Sequence, residues 1–237
     1  MKIQNEYMEL TTRGDSKYKL SVKNADKKVQ KIILEYLENN IRNWNHNENL
    51  PNHIEQTKHS FTFNATNVQS LKNVSQQKNI NAITVKAVMF AAMHLIHTLE
   101  KYNFTIIDFS LDDFIFIEMG GEINSKDYTV FCLFIGFDKL IKVNNDFIEI
   151  VVPMQKNKFF APEIENISSL PAKISYPNKS SYYSIGKIAL YLLSKNAKSR
   201  TMDEYKTDLA PLLNTKIYWM ILRCLAYNPT NRYLLYI

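Results

Sequence analysis

Residues 97–116 read His97-Thr98-Leu99-Glu100-Lys101-Tyr102-Asn103-Phe104-Thr105-Ile106-Ile107-Asp108-Phe109-Ser110-Leu111-Asp112-Asp113-Phe114-Ile115-Phe116. The first of these residues close the clearest helical pattern in the chain. Over 82–102, Val85, Val88, Met89, Ala92, Leu95, Ile96 and Leu99 recur at three- and four-residue spacing. That is one apolar stripe with alanines on its near flank, which suits a helix buried among others. Ile106 to Ile117 then predicts short strands around a turn, with Asp108, Asp112 and Asp113 set into an apolar run. Asp112 and Asp113 make a poor acid/base pair, because adjacent residues on a strand face opposite sides.

Upstream of this stretch, residues 1–24 predict short strands. Tyr18-Lys19-Leu20-Ser21-Val22-Lys23 alternates with period two, and Arg13-Gly14-Asp15-Ser16 is turn chemistry. Residues 26–43 predict a helix with Val29, Ile32, Ile33, Tyr36 and Leu37 on one face. Residues 45–81 are rich in Asn, Gln and His and predict loops and a short helix around one strand, Phe61-Thr62-Phe63. Downstream, a polar loop is expected from Gly120 to Asp127, a strand from Tyr128 to Ile135, and an apolar run from Phe147 to Val152 ended by Pro153. From Ser180 the pattern is helical again, with one stripe of Ile185, Ile188, Ala189 and Leu192. A second stripe, Ile217, Met220, Ile221, Cys224 and Leu225, is stopped by Asn228-Pro229. No internal repeat is present. The order predicts an α+β chain, strands and one helix first, then a mostly helical second half.

The 237 residues are 46% apolar, with 13 Phe and 14 Tyr, enough for a real core and unlike a disordered chain. The net charge of +6 comes mostly from Lys spread between Asn residues, with no block of like charge; it reads as a solvated surface rather than a nucleic-acid-binding face. Such an Asn/Lys/Ile-rich composition is what a rapidly evolving viral or parasite gene would show. Cys132 and Cys224 each lie in an apolar run without metal or disulfide spacing, so buried free thiols are expected. The N-terminus has no apolar signal core, and the apolar helix candidate around Ala87 to Leu99 is short for a bilayer and interrupted by His94 and His97. These features predict a protein of a reducing, cytoplasmic compartment with no membrane span. His94 and His97 have ligand-like spacing but no third ligand in sight, and His46, His53 and His59 read as solvated. Trp44, Tyr227, Tyr233 and Tyr236 could stack on bases, but packing in the core or at helix ends is their commoner fate.

Three stretches, in order, resemble the protein kinase superfamily. Asn103 to Phe116 is similar to the run containing the catalytic loop His-Arg-Asp-Leu-Lys-Pro-Glu-Asn, with Asp108 in place of the base. Ile106 and Ile107 replace the His and Arg, Ser110 the Lys, and Asp113 the metal-binding Asn; a carboxylate there suits a hard cation. Ile135-Gly136-Phe137-Asp138 falls where Asp-Phe-Gly belongs, so Gly136 stands for the magnesium-binding Asp. In an extended segment Asp138 would point to the same side, but roughly 6–7 Å from that position. Phe160-Ala161-Pro162-Glu163 matches Ala-Pro-Glu, Ser181 to Gly186 the start of the central helix, and Cys224 to Arg232 the motif Cys-Leu-x-x-Asp-Pro-x-x-Arg. The resemblance covers about 82–237 and implies that Glu163 and Arg232 form a buried ion pair. A rival register makes Asp108-Phe109-Ser110 the Asp-Phe-Gly, but Ala82 to Thr105 then contains no Asp to act upstream.

The resemblance implies a bilobal fold, a reduced β-rich N-terminal lobe over 1–75 and a helical lobe over 76–237. Lys23 is then the ATP-pairing Lys and Glu35 its helix partner; a surface Lys and a helix-face Glu are the alternative. Gly14 is the only glycine before residue 120, so no glycine-rich phosphate loop exists. The function implied is that of a pseudokinase, with no cofactor expected, acting on another protein such as a kinase or a kinase substrate. The alternative is a divergent active Ser/Thr kinase using ATP and Mg through Asp108, Asp113 and Asp138. A third reading is a basic nucleic-acid-binding protein.

Overall fold

The computed structural model describes residues 2–45, 54–77, 80, 82–120, 129–195 and 201–233. The expected loop over 121–127, His46, His53, Tyr236 and the side chain of Trp44 lie outside the described residues. The chain is mixed α+β and divides into two compact units. The first holds the residues up to Gln76 together with Asp112–Asp138, and the second holds Gln77–Leu111 and Lys139–Ile237. The first segment therefore ends beside the expected 75/76 boundary, while 112–138 groups with it rather than with the helical half.

In chain order the elements begin with strands β1 (Lys2–Gln4), β2 (Met8–Thr12) and β3 (Lys17–Val22), then helix α1 (Lys27–Asn45). Strands β4 (Glu55–Thr57), β5 (Ser60–Asn64) and β6 (Asn67–Ser70) follow, then α2 (Leu71–Ser75), α3 (Ala82–Lys101) and β7 (Phe104–Thr105). Next come β8 (Phe114–Met119), β9 (Thr129–Phe134), β10 (Ile141–Lys142), β11 (Phe147–Ile150), α4 (Pro162–Glu165) and β12 (Ala172–Ser175). Three helices complete the chain: α5 (Pro177–Ser194), α6 (Met202–Asp208) and α7 (Lys216–Cys224).

The first unit contains an antiparallel sheet in the order β1-β2-β3-β5-β4. Its register sets Leu10 opposite Leu20, Leu20 opposite Phe61 and Tyr18 opposite Phe63, so the period-two pattern of β3 becomes one buried face. The buried stripe of α1 is Val29, Ile32, Ile33, Tyr36 and Leu37, and Asp26 caps its start by accepting from the amides of Lys28 and Val29. A second antiparallel sheet, β6-β8-β9, completes the unit. Tyr36 links the two parts: its hydroxyl accepts from the Phe134 amide at 2.8 Å, and its ring meets Phe137 edge-on. The expected strands within Ile106–Ile117 are not continuous; only β8 forms there, preceded by a 3-10 turn at Leu111–Asp113.

The second unit is built on α3, α5 and α7. Helix α5 is buried from Ser180 to Leu190. Its small residues allow close approach: a Cβ at Gly186 would lie 2.9 Å from Cys224 Cβ and 3.2 Å from Leu225 Cγ, so α7 seats against a bare backbone. Pro177 occupies the first turn of α5, where its missing amide hydrogen is not needed. Two short ribbons, β7-β10 and β11-β12, lie in the same unit. Helix α3 runs longer than its Ala87–Leu99 apolar centre. At 20 residues it is the one helix among the described residues long and apolar enough to cross a membrane, and most of it is buried in the protein, as a core helix is. Both cysteines are buried free thiols.

Candidate functional site

In the second unit, α4 starts at Pro162 and places Glu163 in its first turn. Arg232 is fully buried and forms a bidentate pair with it, Nη1 to Oε1 at 2.6 Å and Nη2 to Oε2 at 2.8 Å. The remaining donors go to main-chain carbonyls: Nε to Ala226 at 2.7 Å, Nη1 to Lys179 at 3.1 Å and Nη2 to Tyr227 at 2.8 Å. All five N–H groups of the guanidinium are thus used, the condition for burying such a charge without a large penalty. Ser180 donates a further bond to Glu163 at 2.6 Å. Burial pushes the Glu163 carboxyl up, but the bonds from Arg232 and Ser180 outweigh it and hold the group below the usual carboxylate range.

The loop carrying Asp108 hangs from the same central helix. Ile106 and Ile107 are buried where polar residues were expected from the resemblance, and the Ser181 hydroxyl donates to the Ile106 carbonyl at 2.7 Å. Asp108 is half-buried, and its Oδ1 accepts from the Asn157 side-chain amide at 2.5 Å. Asn157 also donates to the Phe109 carbonyl at 2.7 Å and accepts from the Phe159 amide at 3.0 Å. Asn157 is saturated by this arrangement, and one oxygen of Asp108 is committed to it. Lys139 reaches Ser110 only at 3.5 Å, a weak contact.

The first unit holds Asp113, Gly136 and Asp138. Asp113 is buried, and its carbonyl accepts from the Ile135 amide at 2.7 Å. A Cβ at Gly136 would lie 2.8 Å from both Cγ and Oδ1 of Asp113, closer than real Cβ atoms come. Position 136 therefore excludes a side chain because Asp113 fills the space. Phe137–Lys139 is a 3-10 turn, not the extended segment assumed from sequence, and it leaves Asp138 exposed beside the buried Phe137. Asp112 is exposed and pairs with Lys72 at 3.0 Å, so it and Asp113 have separate environments.

The turn between β1 and β2 closes against this region. Asn5 donates to the Ile135 carbonyl and accepts from the amides of Tyr7 and Met8 at 3.1 and 2.7 Å. Lys23 lies one residue past β3, and its ammonium is 2.6 Å from Glu9, a partner not foreseen from sequence. Lys2 shares that carboxylate at 2.9 Å, and the bonds from Lys23 and Lys2 lower the Glu9 pKa. Glu35 is half-buried on α1. Gly14 sits at φ +83° in the β2-β3 turn with nothing within 4 Å of an added Cβ, so it serves the turn alone.

Burial lowers the pKa of His94, with His97 adding to it, and among the described residues no group of three His, Cys, Asp or Glu is placed to hold a metal ion. Tyr227 and Tyr233 are exposed rather than packed as expected. Asn5, Glu9 and Asn157 were invisible to sequence reading, because single Asn and Glu residues in an Asn-rich chain carry no motif. No protein-family model matches the chain, and no curated protein matches it.

Proposed function

We propose that this protein is a kinase-like domain that has lost phosphoryl transfer and acts by binding another protein. The observation that carries the reading is the contact between Asp113 and position 136. Phosphoryl transfer depends almost wholly on positioning and on charge placed around the phosphates. In the register argued from sequence, position 136 is where a magnesium-binding carboxylate would stand, and Asp113 leaves no room for one. Three further features support the reading. Asn157 holds the Asp108 oxygen that would steer an acceptor hydroxyl. Asn5 ties the β1-β2 turn to Ile135, and Lys23 is engaged by Glu9. The Glu163–Arg232 pair, with every guanidinium donor used, keeps the scaffold around Ser180 and α4 intact without that chemistry.

The experiment is a thermal melt with ATP and Mg. A ligand at about 100 times its Kd stabilises by about 2.7 kcal/mol. For a chain of this size each kcal/mol raises the Tm by roughly 2–4 °C. No rise is expected up to millimolar nucleotide; a rise of several degrees overturns the reading.

A further inference from the structure

The second unit contains a half-open groove of about 860 Å³, within the usual volume range of ligand sites. Its floor is the buried Ile150, Phe160 and Ile164. Its rims are two irregular stretches, around 151–158 and 165–170, which expose Val152 (65%) and Leu170 (38%). Three features narrow what fits there.

The pairing of β11 with β12 ends at Ile150 opposite Ala172. Beyond it, residues 151–156 make no main-chain hydrogen bond among the described residues, although Pro153 alone lacks an amide hydrogen. An exposed backbone of this kind accepts a strand from a second chain, with main-chain bonds giving affinity and alternate side chains giving selectivity. The rim residues are apolar, so side chains entering the groove should be apolar too. The charges on the lining are Lys156 and Lys158 against Glu165, a basic balance in a chain of net charge +6. The Lys158 ammonium is fixed 3.7 Å over the ring of Tyr191, which holds its charge near the rim.

We infer that this groove binds an extended peptide segment of a partner protein in which apolar side chains alternate with acidic ones. The inference deepens the binding role proposed above and rests on it for the partner being a protein.

The test is fluorescence anisotropy with three labelled octapeptides, alternating Leu-Glu, Leu-Lys and Ser-Glu. The Leu-Glu peptide should saturate with a Kd in the micromolar range, the other two binding at least about tenfold more weakly. Val152→Asp with Leu170→Asp, both at exposed positions, should weaken the Leu-Glu peptide by about tenfold or more at unchanged Tm. Lys156→Glu with Lys158→Glu should weaken it too and flatten its salt dependence. Failure of the Leu-Glu peptide to saturate by about 1 mM, equal binding of the Leu-Lys peptide, or full binding by the Val152/Leu170 double variant would overturn the inference. The nucleotide melt reads a separate property, so a chain that takes the peptide and also responds to ATP and Mg sinks the loss of chemistry but not the groove.

Discussion

Asp113 stands in the space that a side chain at Gly136 would need, with its Cγ and Oδ1 each 2.8 Å from where a Cβ would be. Gly136 does not adopt the left-handed conformation that favours glycine, so space and not backbone geometry requires it. The two positions are coupled: a carboxylate is tolerated at one or the other.

Gly136→Asp alone should destabilise the protein by at least about 1–3 kcal/mol, the usual range for overpacking, with repulsion between two carboxylates added. Asp113→Ala with Gly136→Asp should recover at least half of that loss. Urea denaturation of the single and double variants gives the coupling energy. Additive losses would mean that the two residues do not compete for the same space.

Removing one side of the Glu163–Arg232 pair should cost about 3–5 kcal/mol, because the survivor is left as an uncompensated charge. Arg232→Met tests this most directly, since Arg232 is fully buried. The folded-state pKa of Glu163 lies below its unfolded value. Its contribution is therefore present above the unfolded carboxylate pKa, about 4.3, and is lost as pH falls through the folded value. Glu163→Gln should show less acid-dependent loss of stability than the parent across that window, measured by denaturant unfolding at successive pH values.

Asn157→Ala should cost about 1.5–3 kcal/mol, the range for a hydrogen bond to a charged group. Asn157→Asp should cost more at neutral pH, since it sets a second carboxylate against Asp108. The gap between the two variants should close near pH 3, where carboxylates protonate. Melting curves at pH 7 and pH 3 give the comparison, and neither variant is expected to gain transfer of labelled phosphate from ATP.

Burial pushes the Cys224 thiol up to about 12 and raises the Cys132 thiol as well. Thiolate is the reacting form. Ellman's reagent should therefore label neither residue quickly in the native protein and both after denaturation. Fast labelling of the native chain would contradict the packing of β9 and α7.

Where apolar spacing was regular, the sequence disclosed the element. The stripes of α1 and α3, the alternation of β3 and the stop at Asn228-Pro229 all mark real elements. Glu163 and Arg232 were legible as a pair because the motifs around them are local and ordered. The environment of Gly136 was not: whether its missing side chain reflected loss or exclusion depended on Asp113, twenty-three positions away and brought near by the β8-β9 pairing. Asp138 was misplaced because a 3-10 turn and an extended segment differ by local torsions that Phe-Asp-Lys does not dictate. Asn157 was hidden because its role comes from reaching Asp108 across 49 residues.

The hydroxyl of Ser181 that suspends the Ile106 carbonyl has one further implication. It is a neutral anchor, with no proton to gain or lose in any ordinary buffer. The segment leading into Asp108 should keep its mooring through acid and alkali alike, so a change in that segment with pH would have to originate in Asp108 or in the groups around it.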